Sequence, residues 1–237
     1  MKLTPMLSAI CILLVFANGV SAMTVEYPGE SSRLFTMAQK TQIQEIADRT
    51  ELEVRKLLPT LQARLTLAVQ TGNQVIPETG DGGSSLTSDR ILWTVDPTHA
   101  GGLQALIEKR LRSTLFHEMH HLARGWTLAA APQSYKHFLD AAISEGMATV
   151  FAREFAGDRA PWGQYPENVA EWAREVSALP ADAPYQLWMF QHPDGRRWIG
   201  YAVGTYLVDR AMRATSKNAA ELVNMSTTEL MAALGKI

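Results

Sequence analysis

Cysteine is nearly missing from these 237 residues: the one present, Cys11, stands close to the N-terminus. A disulfide framework and a thiolate metal site are thereby excluded. An excess of one charge sign is missing too, since 22 basic residues face 24 acidic ones for a formal net charge of −2. No basic run stands out, which excludes the electrostatic footprint of a nucleic-acid partner. Internal repeats and low-complexity tracts are absent, so solenoid and tail-like architectures do not apply. Long apolar runs are scarce as well. The one candidate lies within residues 1–22 and is about ten residues long, too short to span a bilayer.

That N-terminal stretch has three parts: Lys2, an apolar run ending near Phe16, and the small-residue triplet Val20-Ser21-Ala22. Together they read as a secretory signal peptide. Cleavage after Ala22 and export to the periplasm or the exterior are expected, with no stable membrane insertion afterwards. Two rivals are an uncleaved anchor and lipidation at Cys11, the latter disfavoured by the bulky Ile10 before it. Residues 23–237 are then long enough for one core. Their pattern does not set an oligomeric state.

What is present is His117-Glu118-Met119-His120-His121, an HExxH motif. A random chain with six histidines would show it about once in a hundred times, so its surroundings matter. Leu103, Leu106, Ile107, Leu111 and Leu115 recur at helical intervals before it, Gly101-Gly102 precede the run, and Gly125 follows as a stop. On such a helix His117 and His121 lie within about 40° of each other and can offer two imidazoles to one ion, while His120 points elsewhere. Zinc in an enzyme takes a third protein ligand and leaves a position for water.

The third ligand is sought in the next helical run, from Tyr135 to Phe155. There Glu145 falls among Phe138, Ala141, Ala142, Ala148, Thr149 and Ala152, a face where an unpaired carboxylate is costly. Ile143, Met147, Val150 and Phe151 make the opposite face apolar too, which predicts a helix buried on both sides. His137, Asp140 and Glu154 are the competing ligands. They lie about 80°, 140° and 180° from Glu145 around the helix, so one rigid placement cannot offer them all to one metal. An ion pair between Glu145 and a buried arginine is the metal-free alternative.

These residues resemble the gluzincin pattern. More narrowly, His117 to Arg124 followed by Ser144-Glu145-Gly146-Met147-Ala148 is similar to a family of predicted zinc-dependent proteases with HExxH and a later E-G-[LM]-A segment. The stretch from Trp198 to Val208, with Gly200, Tyr201, Gly204 and Tyr206, is similar to a Tyr/Gly-rich helix of that family. The resemblance implies an α+β, zincin-like fold: a small antiparallel or mixed sheet with an active-site helix (about 23–125) and a helical lobe with the third ligand (about 126–237). It also implies zinc as cofactor and a peptide or protein as substrate. A metzincin is excluded because Arg124 and Thr127 stand where that class needs Gly and His. A di-iron bundle is excluded because no second E-x-x-H exists.

In this reading Glu118 is the general base, and Tyr201 is the first choice to meet the oxyanion, ahead of His120, His192 and Tyr206. Asp140 and Glu154 are the carboxylates available to orient a ligating histidine, and the sequence places neither. A catalytically silent zinc-binding protein is the alternative, disfavoured because it has no need of Glu118. Elsewhere a helix is expected over Ser32–Leu58, ended by Pro59, and strands over Arg64–Val69 and Ile91–Val95, with a loop over Pro77–Ser85. Ile91–Val95 is the candidate edge strand for pairing with an extended substrate. Ser226-Thr-Thr-Glu229 reads as a capping box, the aromatic residues of the second half as mainly core, and Gly200 with Gly204 as a close helix contact.

Overall fold

The computed structural model describes residues 23–130 and 137–235. The leader at 1–22, Cys11 and the expected helix start at Tyr135 lie outside the described residues. Four strands form one mixed sheet: β1 (Thr24–Glu26), β2 (Thr66–Thr71), β3 (Asp81–Thr87) and β4 (Arg90–Val95), in the order β1-β2-β4-β3. β2 runs parallel to β1 and β4, and β3 runs antiparallel to β4. Helices α1 (Ser31–Leu34) and α2 (Met37–Leu57) are threaded between the first strands. After β4 come α3 (Gly102–Lys109), α4 (Leu111–Arg124), α5 (Phe138–Ala156), α6 (Val169–Ser177), α7 (Tyr185–Met189), α8 (Ile199–Thr215) and α9 (Thr227–Leu234). The fold is α+β with a mainly helical second half.

Local chemistry explains where the expected helix over Ser32–Leu58 divides. Phe35 is extended and buried, and Thr36 opens α2 with a capping box: its Oγ1 accepts from Gln39 N at 3.2 Å while Gln39 Oε1 accepts from Thr36 N at 2.9 Å. The run expected as one helix from Leu103 through His121 also breaks, at Arg110 (φ −114°). Its guanidinium donates to Asp81 Oδ1 at 3.0 Å and to Asp158 Oδ1 at 3.1 Å, tying the α3–α4 junction to β3 and to the loop after α5. Gly125 does end α4, in the left-handed conformation. The box at Ser226 and Glu229 opens α9 as expected.

The substrate-edge assignment is corrected. β4 is internal, flanked by β2 and β3; the edges are β1 and β3, and the edge beside α4 is β3, from the segment read as loop. Gly82-Gly83-Ser84-Ser85 has little strand propensity of its own. Its neighbour β4 supplies the ladder, with Ile91, Trp93 and Val95 fully buried, and a two-residue turn at Ser88-Asp89 folds β3 back onto it.

The side chains of α5 are buried from Ala141 to Ala152, so both faces are covered as expected. One cover is α4, where Phe116 meets Phe151 at 5.6 Å between ring centroids. The other is α8, and there the contact is backbone on backbone. A Cβ at Gly204 would stand 1.7 Å from the Ala142 carbonyl oxygen, and one at Gly146 would stand 2.2 Å from the Gly204 carbonyl carbon. Gly200 packs on Met189 and Phe138 instead. Gly204→Ala is therefore expected to force α5 and α8 apart and lower the unfolding free energy by roughly 1–3 kcal/mol or more. A denaturation midpoint equal to the wild type would rule out this helix contact.

Candidate metal centre

Helix α4 presents two stripes. Leu111, Leu115, Phe116, Met119 and Leu122 enter the core, and His117, Glu118 and His121 line an open cavity of about 420 Å³. Across it α5 brings Glu145. His117 Nε2 lies 3.2 Å from Glu145 Oε2 and 3.1 Å from His121 Nε2, and His121 Nε2 lies 3.4 Å from Glu145 Oε2. Tetrahedral zinc with N and O ligands at about 2.0–2.1 Å sets its ligand atoms about 3.3–3.4 Å apart, so the triangle has the size of one face of that site. The donor chemistry agrees. Two facing imidazole nitrogens at this distance share at most one proton, whereas a cation accepts both lone pairs. These are the metal-ligating residues that cluster among the described residues.

Electrostatics favour a cation at the same point. Burial pushes the Glu145 carboxyl up, but the charge on His121 and hydrogen bonds from both histidines outweigh it and hold the group well below the usual carboxylate range. For His117 burial pulls the pKa down, and Glu145 and Glu118 more than reverse it.

Glu118 is buried beside the three and points at β3. Ser85 Oγ lies 2.8 Å from Glu118 Oε2 and 2.9 Å from the Glu118 carbonyl, so one hydroxyl anchors the carboxylate to its own backbone. Glu118 Oε1 lies over Gly83, where a Cβ would come within 2.4 Å of it. Only glycine leaves that oxygen its place. Tyr201, three residues before Gly204 on α8, lines the same cavity. Burial, then the charge of Glu145, raises its phenol well above 10, so it stays protonated and can donate.

The remaining sequence candidates lie elsewhere. His120 is fully buried against Phe151, 5.2 Å between centroids, and burial drives its pKa well down. His192 sits in a turn with Nδ1 2.9 Å from Asp194 Oδ1, and Tyr206 packs on Tyr165. None of the three lines the cavity. His137 and Asp140 form the α5 N-terminus, where Asp140 Oδ2 accepts from His137 N at 3.2 Å. Glu154 accepts from Ala219 N at 2.9 Å, tying α5 to the segment before α9.

Sequence reasoning missed Gly83, Ser85, Trp126, Leu128, Tyr185 and Phe190, all of which line the cavity. The sequence carried no signal for Gly83 and Ser85, because Gly82 and Ser84, which face the other way, are as short as they are.

Two histidines one helical turn apart, a glutamate from a second helix and a further carboxylate beside them, set behind a small mixed sheet, define a zincin-type metallopeptidase. The chain belongs to the family described as Predicted Zn-dependent protease (DUF2268), which it matches over residues 36–232. It is thus a hydrolase whose His117, His121 and Glu145 could hold zinc. No curated protein and no solved structure matches it. Metal titration tests the ligand set: His117→Ala, His121→Ala and Glu145→Ala should each lose tight zinc binding, while His137→Ala, Asp140→Ala and Glu154→Ala keep it. Full affinity in Glu145→Ala would discard Glu145 as a ligand.

Proposed function

We propose that this protein is an exported peptidase that hydrolyses peptide bonds at the centre held by His117, His121 and Glu145, with Glu118 as general base and Tyr201 as oxyanion donor. The observation that carries the reading is a fourth group, Glu118, buried in the same cavity yet outside the triangle of converging donors. A silent metal-binding protein has no use for it.

Zinc, when bound, supplies a Lewis acid that lowers the pKa of water and polarises a carbonyl. The chain's residues do the rest. Ser85 holds Glu118 Oε2, which leaves Oε1 over Gly83 to take a proton from the attacking water and return it to the departing amine. Tyr201 offers its phenolic proton to the oxygen that gains charge. Trp126, Leu128, Tyr185 and Phe190 give the cavity apolar walls for a side chain beside the cleaved bond.

Glu118→Gln should keep about one zinc per chain and cut hydrolysis of a peptide library by about 10²–10⁴-fold, and Tyr201→Phe should keep zinc and lower kcat by about 10²–10³-fold. Wild-type rates in Glu118→Gln would refute the mechanism. Export rests on Lys2, the apolar run and Val20-Ser21-Ala22, and no helix among the described residues is long and apolar enough to cross a membrane. Intact-mass measurement should find Met23 as the mature N-terminus, and Met1 retained on a soluble cytoplasmic protein would contradict export.

A further inference from the structure

β3 is the edge of the sheet beside the centre, yet most of that edge is already taken by the chain itself. In an antiparallel strand alternate residues turn their N–H and C=O to the same side. Gly80 turns inward, its carbonyl accepting from Asp96 N at 2.9 Å, so Asp81, Gly83 and Ser85 turn outward. At one end Asp81 is closed by Ile76, whose N–H donates to the Asp81 carbonyl at 3.0 Å in an isolated antiparallel bridge. At the other end Leu128 N donates to the Ser85 carbonyl at 2.8 Å and Ala129 N to the Leu86 carbonyl at 3.1 Å. The segment that follows the metal-binding helix thus lies on the end of the edge strand.

Gly83 stands between these closures. Among the described residues no main-chain group outside the β3–β4 ladder bonds to it, and it lines the cavity that holds His117, Glu118 and Tyr201. It also lines the smaller adjoining cavity of about 60 Å³ reached past Thr114 and Trp162. Its missing side chain leaves the sheet face beneath it to Glu118 Oε1, which a Cβ would approach within 2.4 Å.

We propose that Gly83 is a one-residue opening through which the substrate main chain is gripped, and that the substrates are peptide segments that bend across this edge. Flexible, turn-forming and terminal segments fit. A long extended strand laid along β3 does not, because its neighbouring pairs would meet the carbonyls of Asp81 and Ser85 already bonded to Ile76 and Leu128. The inference rests on the hydrolase reading above and adds the conformational class of its substrate.

The test uses the zinc-loaded full chain, a random octapeptide library and eight sub-libraries each N-methylated at one position, with cleaved bonds located by mass spectrometry. Apart from the scissile amide, methylation at a single position relative to the cut should lower cleavage by about tenfold, the worth of one good hydrogen bond. Losses at two positions spaced two residues apart are the mark of a continuous strand and would overturn the opening while leaving the hydrolase reading intact. No cleavage of any library would overturn the hydrolase reading, and this inference with it. Amide hydrogen exchange reads the closures without catalysis: Ile76 and Leu128 should exchange slowly and Gly83 fast. Fast exchange at Ile76 or Leu128 means an open edge and sinks the proposal.

Discussion

The backbone contact between α5 and α8 at Gly146 and Gly204 is the constraint on which the centre depends. Each glycine is the neighbour, or lies within one turn, of a group that faces the cavity: Glu145 precedes Gly146, and Tyr201 precedes Gly204 by three residues. Because the helices touch at their backbones, the carboxylate and the phenol meet the same space from two directions. Any side chain at the crossing would move both away from His117 and His121. The Glu-Gly pair is thus one device, a donor with the close approach that aims it.

The other half of the centre is set by β3 against α4. Asp81, Gly83 and Ser85 face that helix in succession, and each does something different. Asp81 is buried and accepts from Trp93 Nε1, Thr114 Oγ1 and Arg110 Nε, which fixes the strand to the start of α4. Gly83 makes room, and Ser85 holds Glu118. Burial alone pulls the Arg110 pKa down, but Asp81 and Asp158 more than compensate, so the guanidinium stays charged between them. A buried charge network of this kind is tolerated where every member is paired.

Strain and packing meet at the start of α8. Trp198 takes a left-handed conformation, φ 58°, which costs a residue with a side chain roughly 1–2 kcal/mol. Its ring lies 5.9 Å from Trp162, 5.7 Å from Phe190 and 5.9 Å from Tyr201, measured between centroids. Of the aromatic residues of the second half, Trp162 and Trp198 are thus buried as expected, Trp172, Trp188 and Tyr206 are half-buried and Tyr165 is exposed, while the cluster around Trp198 braces the helix that carries Tyr201.

The donors were legible in the sequence because a helix is a local object. His117 and His121 share a face by the 3.6-residue period alone, Glu145 stood out as a carboxylate on an apolar face, and Gly204 announced a close contact by its spacing from Gly200. The edge strand was not legible. Gly82-Gly83-Ser84-Ser85 carries turn chemistry, and it becomes a strand because β4 offers it a ladder, a pairing that no periodicity within the segment encodes. For the same reason the ranking of Tyr201 ahead of Tyr206 rested on the family resemblance and not on helix geometry, since the face that reaches the cavity depends on where α8 crosses its neighbours. The sequence by itself determined which groups could bind a metal and on which helical faces they lie, through backbone geometry repeated every few residues. Only the tertiary structure decided that they converge to 3.1–3.4 Å, that Ser85 holds Glu118, and which strand borders the cavity, because those depend on contacts between segments tens of residues apart.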